Sequence, residues 1–500
     1  MRRRTILFGV LVVVILVVLG IVLIPRLIHS QQFAAPAYFP AQEWRTSAPE
    51  EQGIDSAKLA EGLRAIQEQN IPIDSLLVIR NGSIILDGYF YPYDGTFPHN
   101  LASVTKSVMT TLIGIAVDQG KIQLDQPMWS FFPDRTIANL DANKKKITVR
   151  HLAGMVNGFE SGCMAKDEAT LDAMRSAPDW IQAALDRKMA QEPGSGFCYD
   201  SPGMHLLSAI LQESTGMSAL DFARKYFFEP LGIQDVVWES DPQGYTHGWG
   251  DLHLKPTDLA RLGYLWLNHG VWNGRQIVSR GWVIDSVKAQ TKTGEDSYGY
   301  GWWVSPQDFY AKGRGGQYMH VISSLNAVVV MTGAGLEYDQ VVPYLLTAMG
   351  DPKRSLAPNP AGVAQLEKAL AGILQPPAPM ASIPIPEIAR IVSSRVYIFP
   401  PNTAGVENLS LEYIDSSQAM LHIKLNRSAK ILDWPIGLDG KYLLSAEGLA
   451  LRGYWSDPHT FVFEIFDIGK VTYQLNFDDD RVMIDAPEAG IKIEGLRKNP

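Results

Sequence analysis

The chain has 500 residues, which is too many for one hydrophobic core and predicts two or three domains. Apolar residues make up 46% of it and charged residues 19%, as in an ordinary globular protein. The net charge is -9, and no large cluster of lysine and arginine follows the first few residues, which argues against a nucleic-acid partner.

The first thirty residues (1–30) predict a membrane anchor. Three arginines at 2–4 precede an unbroken run of apolar residues and glycine at 6–24, about the length that crosses a bilayer. The arginines predict a single-pass protein with a cytoplasmic N-terminus and an extracytoplasmic body. A secretory signal peptide is the alternative, but its apolar core is usually shorter, and the small residues at 34–37 lie far downstream.

The segment 31–51 is rich in proline and alanine, has no periodicity, and predicts a tether. Asp55 or Ser56 then caps a helix. Two apolar runs between 75 and 90 are joined by Asn81 and Gly82, which is a strong signal for a β-hairpin.

A helix predicted over 103–118, within the stretch 101–118, carries the main chemical signal. Ser103 opens it and Lys106 follows three residues later, so the amine can lie over the hydroxyl. A desolvated lysine can take the serine proton and make the hydroxyl a nucleophile. The alternative, an N-cap serine beside a solvated lysine, stays open because the S-x-x-K spacing occurs about twice by chance in such a chain. The apolar stripe of the helix is Val104, Val108, Leu112 and Ile115.

The region from 121 to about 290 is mainly helical in pattern, with helices predicted at 179–189, 204–215 and 257–268. Strand character returns at 298–304 and 325–331, and 341–349 closes as a helix. We expect an α+β domain over 52–375: an α/β sandwich with an antiparallel sheet, interrupted by an all-helical layer.

A proline linker is predicted at 376–386, where neither a helix nor a central strand can run. Short alternating runs separated by turn signals follow it. They predict an all-β, barrel-like C-terminal domain over 387–500, without a catalytic constellation.

Cys163 and Cys198 are the only cysteines. An exported chain lies in an oxidising space, so we predict a disulfide between them, with two small buried thiols as the alternative.

Further candidate residues follow from what a Ser-Lys pair needs: a proton shuttle and donors for the oxyanion. Tyr199 is the shuttle candidate because a phenol near a cationic lysine can relay a proton. For the oxyanion we favour the glycine-rich turn, residues 312–317, over the K-T-G at 292–294. The candidates in the glycine-rich turn are Gly313, Gly315, Gly316 and Gln317.

Other mechanisms have weaker support. No serine lies in a G-x-S-x-G elbow. His247 and His253 are six residues apart, which fits neither helical metal motif, so metal-dependent hydrolysis is a runner-up only. We predict neither a metal nor a cofactor.

Together these motifs resemble the serine β-lactamase and penicillin-binding superfamily, in particular its class C-like esterase and amidase branch. The resemblance rests on S-V-T-K at 103–106, Y-D-S at 199–201, R-H-L-A-G-M-V-N-G-F at 150–159 and F-E-P-L-G-I at 228–233, and it covers about 44–350. It implies a β-lactamase-like fold in which Ser103 is the nucleophile and Lys106 and Tyr199 are the acid/base pair. The Ser103 amide and one amide of 313–316 would form the oxyanion hole.

Three departures from the family pattern narrow the expectation. Ser201 replaces the usual asparagine, Met155 replaces a histidine, and G-R-G-G-Q stands where K-T-G is usual. The missing lysine implies amide or ester substrates, small or peptide-like, rather than penicillins. We expect a membrane-anchored serine hydrolase of unknown oligomeric state that cleaves an ester, amide or lactam bond through an acyl-enzyme on Ser103. The alternative is a catalytically silent protein on the same fold that senses peptidoglycan-like or lactam ligands.

Overall fold

The computed structural model describes residues 38–40, 43–160, 169–376, 385–402, 404–426, 430–478 and 480–498. The chain divides into two compact units, Met1–Phe39 and Pro40–Pro500. Among the described residues, no helix is both long and apolar enough to span a bilayer. The predicted anchor at 6–24 lies outside them, as does Cys163.

The α-helices are α1 (Ser56–Glu68), α2 (Thr105–Asp118), α3 (Val149–Ala153), α4 (Ala169–Arg175), α5 (Trp180–Asp186), α6 (Ser201–Thr215), α7 (Ala219–Ala223), α8 (Pro256–Leu267), α9 (Arg280–Ser286), α10 (Val342–Ala348), α11 (Pro360–Ile373) and α12 (Glu387–Val392). The strands before the barrel are β1 (Ile73–Arg80), β2 (Ser83–Tyr89), β3 (His99–Asn100), β4 (Val237–Trp238), β5 (Leu252–Leu254), β6 (Val271–Trp272), β7 (Arg275–Gln276), β8 (Thr291–Lys292), β9 (Ser297–Tyr298), β10 (Trp303–Val304), β11 (Phe309–Gly313), β12 (Gln317–Ile322) and β13 (Ala327–Gly333).

An eight-stranded antiparallel sheet organises the catalytic domain, in the order β2-β1-β13-β12-β11-β10-β9-β8. β1 pairs with β13, from Ile73 opposite Gly333 to Arg80 opposite Ala327. The sheet therefore begins before Ser103 and ends after Ser297, as predicted, and the helical layer lies between its two parts in sequence. One apolar cluster joins this sheet to α1, α10 and α11.

The first helix and hairpin form as predicted. The Asp55 carboxylate accepts hydrogen bonds from the amides of Ala57 and Lys58, at 3.0 and 3.2 Å, and so caps α1. Asn81 and Gly82 have φ angles of 52° and 79°, the left-handed pair that a two-residue hairpin turn requires.

Part of the predicted tether lies against the sheet. The Ile84 amide donates to the Arg45 carbonyl at 3.0 Å, and the Ser47 amide donates to the Ile84 carbonyl at 3.2 Å. Residues 43–51 thus use backbone groups that the edge strand β2 would otherwise leave unpaired.

The segment 298–304, predicted as one strand, instead contains the end of β9, a tight turn at 299–302 and the strand β10. The Gly299 amide donates to the Trp302 carbonyl at 2.9 Å, and Gly301 has a φ of 76°. A Cβ at Gly301 would lie 2.4 Å from the Thr110 hydroxyl, so glycine lets the turn pack directly on α2.

The C-terminal strands form a second sheet with its own apolar core. They are β14 (Tyr397–Ile398), β15 (Val406–Tyr413), β16 (Gln418–Leu425), β17 (Ile431–Gly437), β18 (Leu443–Leu444), β19 (Ala450–Trp455), β20 (Thr460–Phe466), β21 (Lys470–Asp478), β22 (Arg481–Ala486) and β23 (Ile491–Arg497). The order is β17-β16-β15-β14-β23-β22-β21-β20-β19-β18, and an additional β17–β19 pairing closes nine strands into the predicted barrel.

Candidate functional site

Ser103 lies in a 3-10 turn, Ala102–Val104, directly before α2. Ala102 has a φ of 44°, a backbone conformation that is uncommon for a residue with a side chain. The Asn100 side-chain oxygen accepts the Ala102 amide proton at 2.9 Å and holds this turn. α2 begins two residues later than the sequence predicted, and its apolar stripe is buried as expected.

Lys106 lies on the first turn of α2 and is 1% exposed. Its Nζ donates to Ser103 Oγ at 2.8 Å and to the Trp249 carbonyl at 2.9 Å. The amine is therefore buried and held at hydrogen-bond distance from the hydroxyl, which is the arrangement that activates a serine nucleophile. The alternative of a solvated lysine is wrong.

Tyr199 completes the group that the sequence predicted. Lys106 Nζ lies over its ring, 4.7 Å from the centroid. The other face of the site is aromatic: the Trp303 ring stacks on Tyr199 at 6.4 Å, with 18° between the ring planes. Burial, with a smaller effect from Tyr199, raises the pKa of the neighbouring Tyr298 well above its usual value. Tyr298 therefore stays protonated beside the candidate shuttle.

A buried ion pair that the sequence analysis missed fixes the backbone next to Tyr199. Arg187 donates to both carboxylate oxygens of Asp200, at 2.6 and 3.0 Å, and Asn157 donates to Asp200 Oδ2 at 2.8 Å. Asp200 and Asn157 are 2% and 3% exposed. Both lie inside motifs that the resemblance singled out, but nothing in their spacing indicates Arg187 as the partner.

The segment 150–159 also holds the loop that precedes Tyr199, through two backbone hydrogen bonds. The Cys198 amide donates to the Met155 carbonyl at 2.9 Å, and the Gly194 amide donates to the Val156 carbonyl at 2.7 Å. Met155 is fully buried, with a φ of 54°. Cys198 is buried too, but because Cys163 lies outside the described residues the bridge between them stays a prediction.

The glycine-rich turn approaches Ser103 through its backbone. A Cβ at Gly313 would lie 2.5 Å from the Leu101 carbonyl and 3.0 Å from the Ser103 amide nitrogen, so glycine allows β11 to run beside the nucleophile. Gly315 and Gly316 have φ angles of 84° and 97°. The Gly315 carbonyl accepts the amide protons of residues 335 and 336, which fixes the turn on the end of β13.

The other two predicted residues, Gln317 and Ser201, are both buried. Gln317 is 1% exposed and donates from Nε2 to the Gly333 carbonyl at 2.6 Å, so its side chain tightens the turn. Ser201 is the first residue of α6, and no partner of its buried Oγ lies among the described residues. The less favoured K-T-G at 292–294 begins at the end of β8, the edge strand three strands from β11.

The histidine pair that suggested metal chemistry has other partners. His247 Nδ1 lies 2.8 Å from Asp251 Oδ2, and His253 Nδ1 lies 3.2 Å from the Asp251 carbonyl. Burial opposes ionisation of Asp251, but the hydrogen bond from His247 keeps its pKa below the usual value. Glu239, His247 and Asp251 have ligand atoms within 4.8 Å of one another, whereas His253 is outside this group. His247 is therefore held by the Asp251 carboxylate, and its ring stacks on Trp249 at 4.3 Å, whereas His253 contacts a backbone carbonyl.

Comparisons with known proteins identify the family. The β-lactamase family model matches residues 57–349. The chain is 26% identical over 251 residues to 6-aminohexanoate-dimer hydrolase of Paenarthrobacter ureafaciens, which covers 46% of this chain and 64% of that protein. It is 24% identical over 232 residues to esterase EstB of Burkholderia gladioli, covering 41% and 58%. The chain thus spans less than two thirds of each of these two relatives.

A solved structure has the same fold. The putative 6-aminohexanoate-dimer hydrolase from Bacillus anthracis superposes with a TM-score of 0.50 at 18% identity, over 67% of this chain and 87% of that one. The matched family region contains Ser103, Lys106, Tyr199 and the glycine-rich turn. The chain therefore belongs to the β-lactamase family, within the superfamily of serine β-lactamases and penicillin-binding proteins.

Proposed function

We propose that this protein is a serine hydrolase that cleaves an ester or amide bond through an acyl-enzyme on Ser103. The observation that carries the proposal is the 2.8 Å hydrogen bond between Lys106 Nζ and Ser103 Oγ, made by a lysine that is 1% exposed. A lysine that only stabilised the fold would not need to place its amine against the Ser103 hydroxyl, which is only partly buried.

Acylation uses the residues as follows. Lys106, acting as the general base, takes the proton of Ser103 while Oγ attacks the substrate carbonyl carbon. The carbonyl oxygen becomes an oxyanion, and the Ser103 amide with one amide of 313–316 donates to it. As the tetrahedral intermediate collapses, Tyr199 relays a proton to the departing alcohol or amine.

Deacylation reverses these roles. Water takes the place of the leaving group, and Tyr199 with Lys106 accepts its proton as it attacks the ester carbonyl on Ser103. The carbon–Oγ bond breaks, the proton returns to Oγ, and the carboxylic acid leaves. Both half-reactions pass through the same oxyanion, so the same backbone amides serve twice.

Ester and amide bonds are favoured over lactams for two reasons. The K-T-G lysine that would hold a lactam's carboxylate is missing from the G-R-G-G-Q turn, while the literal K-T-G lies three strands away. The relatives named above are an amide hydrolase and an esterase. The catalytically silent binder is not favoured, because the Ser-Lys pair is intact.

We also propose the localisation that the sequence predicts, a single-pass membrane protein with its hydrolase domain outside the cytoplasm. The proposal rests on the three arginines and the apolar run at 6–24. Protease protection of the C-terminal domain in spheroplasts, whose outer layers have been removed, would contradict it.

The experiment that tests the hydrolase proposal is covalent labelling. A fluorophosphonate probe should add one phosphonyl group to Ser103, located by peptide mass spectrometry, and pretreatment with phenylmethylsulfonyl fluoride should block the addition. Ser107 is the internal control, because it is a buried serine one turn further on whose hydroxyl donates to the Gly301 carbonyl. Folded protein without an adduct on Ser103 would contradict the proposal.

A further inference from the structure

The C-terminal barrel reaches the glycine-rich turn with a hairpin. The barrel turn, residues 467–469, joins β20 to β21, and the Asp467 amide donates to the Gly469 carbonyl at 3.1 Å. A Cβ at Gly315 would lie 2.1 Å from the Ile468 carbonyl oxygen and 2.9 Å from its carbon. The two backbones are therefore in direct contact, at a position that only glycine fits.

The barrel turn also faces a second segment beside the nucleophile. Asp467 interacts electrostatically with His253 and Asp251, which follow Trp249, and with Arg314 of the glycine-rich turn. Burial raises the pKa of Asp467, as expected for a carboxyl group enclosed between two domains. The turn thus lies between the segment whose carbonyl holds Lys106 and the segment that would hold the oxyanion.

The barrel is fixed on the catalytic domain near this point. The Tyr442 amide donates to Tyr91 Oη at 2.7 Å, and Tyr91 Oη donates back to the Tyr442 carbonyl at 3.2 Å. Tyr442 Oη and Arg452 Nε both donate to Glu464, each at 2.8 Å. Since Glu464 is on β20, three residues before Asp467, one strand carries both the anchor and the turn.

We propose that the barrel turn is a specificity-determining wall of the Ser103 site, which limits the length of the acyl group that the enzyme accepts. The acyl carbon carries the oxygen that the amides of 313–316 would bind, so the acyl chain stays beside these amides in both half-reactions. The Ile468 carbonyl lies against Gly315, two residues from Gly313 at the Ser103 amide, so we place the path of a long acyl chain along this turn. The inference rests on the proposed function, because it requires an acyl-enzyme on Ser103.

The register of the barrel provides a clean test. Ile465 pairs with Val471, so residues 466–470 can be replaced by Asn-Gly, which closes the same two strands with a two-residue turn. A matched control exists in another hairpin, where Tyr413 pairs with Ala419 and residues 414–418 can be replaced in the same way. Each variant removes five residues from one hairpin of the barrel and adds the same two, Asn-Gly.

The measurement is kcat/KM for p-nitrophenyl octanoate divided by kcat/KM for p-nitrophenyl acetate, in the full chain. The shortened 466–470 hairpin should raise this ratio at least about tenfold, the low end of what one pocket contact discriminates, and the control should leave it unchanged. Ile468→Ala, which keeps the turn, should also raise the ratio. It provides the test if the variant with the shorter hairpin does not fold.

Fluorophosphonate labelling of Ser103 separates the two possible failures. Suppose that the shortened 466–470 hairpin and Ile468→Ala both label at the wild-type rate and leave the octanoate-to-acetate ratio unchanged. The proposal that the barrel turn limits acyl length is then wrong, while the hydrolase proposal stands. If the wild-type protein does not label at Ser103, the hydrolase proposal and this inference fall together. A ratio that rises equally in the 414–418 control also overturns the wall.

Discussion

Arg187 forms a two-pronged hydrogen bond with the Asp200 carboxylate, at 2.6 and 3.0 Å, immediately after Tyr199. The side chains are 11% and 1% exposed. Removing one partner of a buried pair leaves an uncompensated charge, which typically costs about 3–5 kcal/mol. The pair therefore stabilises the fold and also sets the backbone from which Tyr199 projects.

Arg187→Ala should lower the free energy of unfolding by about 3–5 kcal/mol in urea titrations. It should also lower kcat/KM by up to about a hundredfold where the variant is still folded, because Tyr199 shifts. Arg135→Ala is the matched control: it breaks the more exposed Arg135–Asp179 pair and should cost about 1 kcal/mol or less without changing kcat/KM. Equal effects of the two variants would contradict the positioning role.

Lys106→Met should reduce the rate of fluorophosphonate labelling of Ser103 at least about a hundredfold, as expected for the loss of a general base. The control is Lys144→Met, which removes another fully buried lysine whose Nζ donates to two backbone carbonyls, at 2.6 and 2.9 Å. That variant should lose stability and, while folded, label normally. A Lys106→Met protein that labels at the wild-type rate would assign the base role to Tyr199 or another group.

Gly313→Ala should reduce kcat for ester hydrolysis with little change in KM, because the added methyl group would push β11 away from the Ser103 amide. Loss of one oxyanion donor costs about a hundred- to a thousandfold in other hydrolases. Gly281→Ala on α9 adds the same methyl group where the nearest atom is 4.0 Å away, and it should leave kcat unchanged. If the Gly313→Ala variant keeps the wild-type kcat, β11 does not contribute to the oxyanion site.

Asp74→Asn should stabilise the protein at neutral pH. Burial, and secondly Asp467, raises the pKa of Asp74 well above its usual value, and burial lowers the pKa of the nearby His99 to about 3. His99 Nδ1 and Asp74 Oδ2 are 3.7 Å apart, and with these pKa directions both groups are neutral rather than an ion pair.

The sign of the stability difference between Asp74→Asn and the wild type follows from the raised pKa of Asp74. Wild-type stability is complete below the unfolded pKa of Asp74 and falls as pH rises through its folded pKa, whereas the asparagine variant carries no such loss. The difference in free energy of unfolding should therefore grow from near zero at about pH 4 towards neutral pH, by about 1.4 kcal/mol for each unit of pKa elevation. Asp134→Asn, at an exposed position, should show no such trend.

Thiol titration tests the predicted bridge between Cys163 and Cys198. Denatured, unreduced protein from an oxidising compartment should show no free thiols, and reduction should lower stability by roughly 3–4 kcal/mol, the chain-entropy estimate for a loop of about 35 residues. Activity should fall before the domain unfolds, because Cys198 directly precedes Tyr199. Two titratable thiols in the unreduced protein would rule out the bridge.

The sequence predicted those parts of the site that depend on short-range geometry. Ser103 and Lys106 are three residues apart on one helical turn, so their contact follows from the helix itself. The Asn81-Gly82 turn and the Asp55 cap are local in the same way. Tyr199 lies about a hundred residues away, and it was identified only because a phenol can serve a Ser-Lys pair.

The rest depends on contacts between distant segments. The second partner of Lys106 is the Trp249 carbonyl, and a backbone atom carries no signal in the residue type. The contact of Gly315 with Ile468 joins two domains, so neither local pattern indicates it. The strand predicted at 298–304 is broken because Gly301 must pack on α2, a constraint from outside the segment.

The pairing of β1 with β13 has a consequence for synthesis. Ser75 lies opposite Thr332, so the central ladder of the sheet forms only when some 250 intervening residues have left the ribosome. Such long-range pairing slows folding, because a large loop must close before its contacts form. A nascent chain that ends before 327 already contains Ser103, Lys106 and Tyr199 but lacks the strand on which the glycine-rich turn is fixed. The nucleophile should therefore stay unreactive until the sheet is complete, which would protect the growing chain from premature acylation.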